Sequence, residues 1–430
     1  MTERAFHRIA AIAMLLGWPN LLASQVRSET ELLQSRFEAL SLTTEELKPE
    51  EFTPTSILRG HASLVVGGNQ FRGSANNLTR ASQRQFGATT FNYETRFIID
   101  TSFSGKDLLR IRLRSGNFDG TNNSFSGAGP SVLSRLEVAF QAPQGRDILA
   151  VNRLYYQWPI GEFMFTLGPR VEQDNLLAIW PSVYPSETLL DLMTFAGAIG
   201  ANNLDIGTGA GFWWERNGLA ISINYVASNG NEGQSTIGGL GTKESGSSAS
   251  IQIGYAASSW GLAAMFSAVQ NGFGVIPYGT NFTLKSLEEP GNTSAFGIAG
   301  YWQPAQRGWI PSISAGWGVN KTNYTDSIND AVLVSTSQSW IVGLEWQDAL
   351  RKGNSFGMAV GQPTFATSLK GGANPNDSNV VCEWWYKVEV TDRISLTPGL
   401  FYLSRPLGAD TPSGKSFNQL GGLIKTRFSF

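Results

Sequence analysis

The chain has 430 residues, of which 15% are charged and 41% hydrophobic, with 48 Gly, 13 Trp and a formal net charge of −2. That balance gives no reason to expect nucleic acid or an anionic surface as partner. A single cysteine, Cys382, cannot make an internal disulfide, and His7 and His61 are too few for a histidine metal cluster. No nucleotide loop, metal-ligand spacing or nucleophile elbow stands out, so no cofactor is expected; pieces such as "GAGPS" read as turns.

At the N-terminus, "IAAIAMLLGW" follows Arg4 and Arg8. A run of about ten apolar residues is too short to span a bilayer and has the layout of a secretory signal, here residues 1–24. A short buried helix is the plainer alternative. Residues 25–56 follow, with Leu33, Phe37, Leu40, Thr44 and Leu47 spaced by fours and threes. That spacing predicts a short amphipathic, coiled-coil-like helix, too short to associate alone. Pro49 and Pro54 end it.

From about Leu58 the period changes to two, and residues 57–430 read as one β domain. In "FNYETRFIIDTSFSGKDLLRIRLRSGNF", Phe91, Tyr93, Thr95, Phe97, Ile99, Thr101 and Phe103 share one face. Asn92, Glu94, Arg96 and Asp100 share the other, with Ile98 the exception. After a turn at Ser104–Asp107, Leu109, Ile111 and Leu113 alternate with Arg110, Arg112 and Arg114. Three arginines on one strand face suit a watery interior with Glu94 and Asp100 across the hairpin.

The same alternation recurs to the last residues, where Ile424, Phe428 and Phe430 alternate with Lys425, Arg427 and Ser429. Tight turns at Arg216–Gly218, Ser258–Ser259, Pro304–Gly308, Asp348–Asn354 and Thr391–Arg393 alternate with long polar stretches such as "NGNEGQSTIGGLGTKESGSS". Short turns at one end and long loops at the other predict an all-β transmembrane antiparallel barrel in the outer membrane. Trp158, Trp214, Trp260, Trp302, Trp309 and Trp346 each lie at or near a short turn, as an aromatic girdle would. A first count gives seventeen segments. If 132–158 supplies one crossing, the count becomes sixteen, and both termini fall on the short-turn, periplasmic side.

One long loop, about 171–204, mixes "LLAIW" and "LLDLMTFAGA" with charge. Exposed, it would be a sticky patch, so it is expected to fold into the barrel and narrow the pore, with a lid or an oligomer contact as alternatives. The predicted constriction is then lined by Glu94, Arg96, Asp100, Arg110, Arg112, Arg114, Arg153, Tyr155, Arg170, Glu172, Asp174 and Trp180. Tyr155 and Trp180 could stack on sugar rings or simply fill space. Glu215, Glu345, Glu383, Lys387 and Glu389 point inward by alternation and are expected to keep the lumen wet.

"DTSFSGKDLLRIRLRSGNF", "LYYQWPIGEFMFTLGPRVEQDNLLAIWPSVYP" and "VEVTDRISLTPGLFYL" resemble the cyanobacterial branch of the carbohydrate-selective (OprB-type) porins, some described as iron-uptake porins. The likeness runs from about Leu58 to Phe430. It implies a sixteen-stranded, often trimeric outer-membrane channel for small solutes. Family members usually carry an S-layer-homology domain before a coiled coil. That domain is expected to be absent here, with Leu33–Leu47 as the remnant of the coil, so peptidoglycan tethering is not part of the expectation. The reading is a passive porin in outer-membrane lipid, a conduit for small hydrophilic solutes, sugars and/or inorganic ions, and not an enzyme. Its rivals are an iron or inorganic-ion uptake channel of the same fold, a plugged structural barrel, and a hydrolase using Ser and His61.

Overall fold

The computed structural model describes residues 55–186, 189–272, 274–325 and 332–430. The expected leader (1–24) and nearly all of the coil-like segment (25–56) lie outside the described residues. Among the described residues, sixteen antiparallel strands close into one barrel, each hydrogen-bonded to its sequence neighbours and the first to the last.

The strands are β1 (Thr55–Arg72), β2 (Thr90–Ser102), β3 (Leu108–Gly116), β4 (Ala150–Ile160), β5 (Phe163–Glu172), β6 (Ile206–Arg216), β7 (Leu219–Ala227) and β8 (Ser247–Ala256). They continue as β9 (Trp260–Gln270), β10 (Gly291–Trp302), β11 (Ser312–Tyr324), β12 (Val334–Gln347), β13 (Ser355–Leu369), β14 (Val380–Thr391), β15 (Ile394–Ser404) and β16 (Asn418–Ser429). Helix α1 (Asn76–Phe86) sits in the β1–β2 loop and α2 (Asn281–Ser286) in the β9–β10 loop. No helix among the described residues is long and apolar enough to cross a membrane, which a strand-built wall does not require.

Closure explains the C-terminal alternation. β16 pairs with β1 from His61↔Ser429 to Arg72↔Asn418, and Gly60 and Phe430 exchange both backbone hydrogen bonds at 2.8 and 2.9 Å. With the last strand seated against the first, no edge is left to template other chains. The segment 132–158 resolves into one crossing, 150–160, and the remainder belongs to a loop.

Alternation sorts the wall as the period predicts. Leu219, Ile221, Ile223, Ile251, Ile253, Leu262, Phe266 and Ile298 face outward and are exposed, as a lipid-facing band requires. Their neighbours Ala220, Ser222, Asn224, Ser250, Gln252, Ala263 and Met265 face inward and are buried. All seven short connections, 103–107, 161–162, 217–218, 257–259, 303–311, 348–354 and 392–393, lie on one rim together with both chain ends of the barrel. The eight remaining connections start and end on the opposite rim.

The interior holds a hydrophobic core of its own. Three long loops fold inward: 117–149 after β3, 173–205 after β5 and 271–290 after β9. Phe118, Phe125, Leu133 and Leu136 from the first, Leu189, Leu190, Leu192 and Phe195 from the second, and Val275, Ile276 and Tyr278 from the third form one buried cluster. It packs on Val65, Ile341, Val381, Trp385, Phe401, Leu403 and Leu423 of the inner wall. Burying these side chains, at ~1.5–3 kcal/mol each, offsets the entropy of ordering long loops.

Candidate pore constriction

Loop 173–205 crosses the inside of the barrel and returns. The outgoing limb donates the Ala178 N–H to Ser222 on β7 (2.9 Å) and the Tyr184 N–H to Ser314 on β11 (3.0 Å). Its far end reaches β14, where Glu383 accepts the Leu190 N–H at 2.8 Å. The return limb lies nearer the long-loop rim: Ile199 N–H donates to Ser339 on β12 (3.1 Å) and Asn203 to Ser248 on β8 (2.8 Å).

Small inward residues make this seat possible. A Cβ added to Gly316 would lie 1.9 Å from the Ala196 carbonyl oxygen, and one on Gly297 would lie 2.5 Å from the Ala198 Cβ. Backbone can approach backbone here only because both strand positions lack side chains.

Loop 117–149 closes on loop 173–205. Glu137 N–H donates to the Leu189 carbonyl and Asp191 N–H to the Arg135 carbonyl, both at 3.0 Å. Arg135 lies 3.9 Å from the Asp191 carboxylate, which also accepts from the Tyr278 hydroxyl of the third loop. One carboxylate therefore joins three loops. Arg135 remains 42% accessible at that seam, inside the barrel, so water reaches it.

Beside loop 117–149 stands the charged wall. Asp100 on β2 accepts two hydrogen bonds from Arg110 (2.7 and 2.8 Å) and one from Arg59 (2.7 Å). Glu94 accepts from Arg114 (2.7 Å) and Arg96 (3.0 Å), and Arg96 reaches Glu137 at 3.1 Å. Burial alone would raise the Glu137 carboxyl, but the Arg96 and Arg114 guanidiniums outweigh it and hold it at about 2. Arg112 and Arg153 face each other across β3 and β4; Glu172 pairs with Arg153 and lies 3.6 Å from Arg112. Like charges that close are tolerable only with a shared carboxylate.

The predicted residues thus divide. Glu94, Arg96, Asp100, Arg110, Arg112, Arg114, Arg153 and Glu172 come together on β2–β5 as three neighbouring paired groups, centred on Glu94, Asp100 and Glu172. Asp174 lies on the turn just after β5 and Trp180 on the outgoing limb, both half-buried.

Two expectations are corrected. Arg170 is exposed and turned outward, opposite Leu154, because a bulge between Gly168 and Val171 shifts the alternation by one residue. Tyr155 points inward but is 1% exposed, sealed among Leu108, Val171, Leu176 and Val226, so it offers no surface to a solute.

Glu383 departs from its expected role as well: instead of wetting the lumen, it is fully buried and holds a loop. Glu345 is buried too. His61 is buried between Glu94 (3.4 Å from Nε2) and Arg427 (3.0 Å from Nδ1). Both ring nitrogens are committed to charged groups rather than to a serine.

The family model for the carbohydrate-selective porins, OprB family, matches residues 25–430. The chain belongs to that porin family. Uncharacterized proteins of Synechocystis sp. and Nostoc sp. are each 25% identical to this porin, over 95% of it and 75% and 71% of themselves. Among solved structures, Pseudomonas putida OprB at high pH shares the fold with a TM-score of 0.54 at 13% identity, covering 95% of this porin and 99% of that chain. The trimer form of Vibrio cholerae OmpT (TM-score 0.52, 9% identity, 88% and 100% coverage) has the same architecture. So does an anion-selective porin from Comamonas acidovorans (TM-score 0.51, 10% identity, 88% and 100% coverage).

Within this porin, sequence reasoning missed loop 117–149 as a lumen element, and with it Glu137 and Arg135. Its contacts are long-range: Gln419 to Ser124 (2.9 Å) and Phe125 against Phe401 join positions 295 and 276 residues apart. A signal did exist for the other loop. The inward positions of β10–β12 read Ala295, Gly297, Ala299, Ser314, Gly316, Gly318, Ser337 and Ser339, a run of small residues that leaves room for a chain.

Proposed function

We propose that this porin is a passive channel for small hydrophilic solutes, sugars and inorganic ions, with a preference for anions. The observation that carries the reading is the asymmetry of the lumen. On one side, apolar loops pack dry against the wall. On the other, Arg59, Arg96, Arg110, Arg112, Arg114, Arg135 and Arg153 outnumber Glu94, Asp100, Glu137, Glu172, Asp174 and Asp191, and Arg135 meets water at the loop seam. A cation-rich slot beside a low-dielectric surface raises the local concentration of anions.

The barrel sits in the outer membrane, and we read the short-turn rim, with both ends of the barrel, as its periplasmic face. The positions of Trp158, Trp214, Trp260, Trp302, Trp309 and Trp346 support this boundary: each lies in a short turn or within three residues of one. A homotrimer is the assembly we favour, given the trimer form of the Vibrio OmpT neighbour. No catalytic role is assigned, since His61 is bound between Glu94 and Arg427.

The test is stepwise conductance in planar bilayers, with reversal potentials in a salt gradient and swelling of liposomes in graded sugars. The reading expects open channels, anion-favouring reversal potentials and entry of small sugars before large ones. A silent membrane across several preparations would instead identify a plugged structural barrel, and conductance without sugar entry an ion channel, the reading under which iron uptake should be assayed.

A further inference from the structure

The short-turn rim carries a patch that the pore does not use. The β10–β11 turn (303–311), the longest on that rim, presents Trp309, 95% exposed, beside Ile310, 60% exposed. The nearby β12–β13 turn presents Leu350, 94% exposed, at a left-handed φ of 61°. Non-glycine residues hold that conformation at a cost, and here the cost maintains an apolar side chain in the open. Three large apolar side chains standing clear of the fold call for a covering environment.

The direction of the turn indicates which one. Trp346, on the outer face of β12, donates its indole N–H to the Trp309 carbonyl at 2.9 Å. The turn therefore leans to the lipid side, and its patch continues the apolar band of the wall. The charges agree. Arg307 is held by Asp348 at 3.3 Å, whereas Arg351 and Lys352 directly follow Leu350, exposed and without an ion pair among the described residues.

We propose that these two turns dock anionic phospholipid in the leaflet that meets the short-turn rim. Trp309, Ile310 and Leu350 enter the boundary between headgroups and acyl chains, where an indole is at home. Arg351 and Lys352 take the lipid phosphate, a site that a zwitterionic headgroup fills less well. The proposal rests on reading this rim as a membrane boundary.

Native mass spectrometry of the full chain, released from detergent with phosphatidylglycerol or phosphatidylcholine, tests it. The wild type should retain phosphatidylglycerol over phosphatidylcholine. Replacing Arg351→Ala and Lys352→Ala together should cut phosphatidylglycerol retention by about fivefold per cation and leave phosphatidylcholine retention unchanged. Equal retention of the two lipids, or an unaffected double variant that migrates as a folded barrel, overturns the proposal. A second readout compares wild type with Trp309→Phe in vesicles of brominated lipid. The fluorescence lost in the variant should be a lipid-quenched component; if it is quenched by aqueous iodide alone, the patch faces water and the proposal fails. Lack of lipid quenching for every tryptophan would be a different failure, that of the membrane boundary itself.

Discussion

Glu383 and Tyr184, 199 residues apart, meet inside the barrel: the Tyr184 hydroxyl donates to the Glu383 carboxylate at 2.7 Å. The other carboxylate oxygen accepts the Leu190 N–H, and the Trp385 indole donates to the Tyr184 oxygen at 2.9 Å. A single wall residue therefore grips the far end of the loop that divides the lumen. Glu383→Ala removes the acceptor that the buried Tyr184 hydroxyl and the Leu190 amide share, at roughly 1.5–3 kcal/mol for each bond to a charged group. The loop end should detach, and single-channel records should show higher, noisier conductance than wild type. Unchanged conductance with normal folding would mean that the loop is held elsewhere.

The track beneath the loop has its own test. Gly316→Ala places a methyl against the Ala196 carbonyl, which is backbone and cannot rotate away. Overpacking of this kind costs about 1–3 kcal/mol. The temperature at which the barrel loses its folded migration on a gel should fall. Gly308→Ala, with nothing within 4 Å of the new atom, is the control and should behave as wild type.

Strand periodicity is local, so the wall, the turns and the inward direction of Arg110, Arg112 and Arg114 can be read from neighbouring residues alone. The loop at 171–204 betrayed itself by carrying Leu189, Leu190 and Leu192 where a surface loop should be polar. Loop 117–149 is richer in Ser, Gly and Asn, and only its distant partners, Phe401 and Gln419, make its inward course necessary. Alternation misplaces Arg170 for a different reason: the bulge between Gly168 and Val171 turns that one side chain outward, and alternation has no means of announcing a bulge.

Charge on the lumen wall should set ion preference. Neutralising Arg110, Arg112 and Arg114 together leaves Glu94 and Asp100 with Arg96 and Arg59 as remaining partners. For an ion passing ~8 Å from one unit charge at an effective dielectric of ~40, the interaction is ~1 kcal/mol, about fivefold in occupancy. The reversal potential in a salt gradient should therefore move toward cations by a readily measured amount. If it stays put, these side chains do not face the permeation path.

Asp205 stands at the foot of the same loop, just before β6, and is buried with one carboxylate oxygen unpartnered. Burial raises its carboxyl from 3.8 to about 8. Between those values the folded porin keeps a proton that the unfolded chain has released, so the folded state binds more protons and loses stability as pH rises. The stability tied to this group is intact below about pH 4 and declines steadily up to pH 8, where the folded carboxyl ionises. Asp205→Asn removes the titration while preserving an acceptor for the Ile206 amide. Barrel melting measured from pH 4 to pH 9 should therefore flatten in the variant and run above wild type at the alkaline end. Parallel wild-type and variant profiles would show that Asp205 is already ionised in the folded porin and finds a partner there.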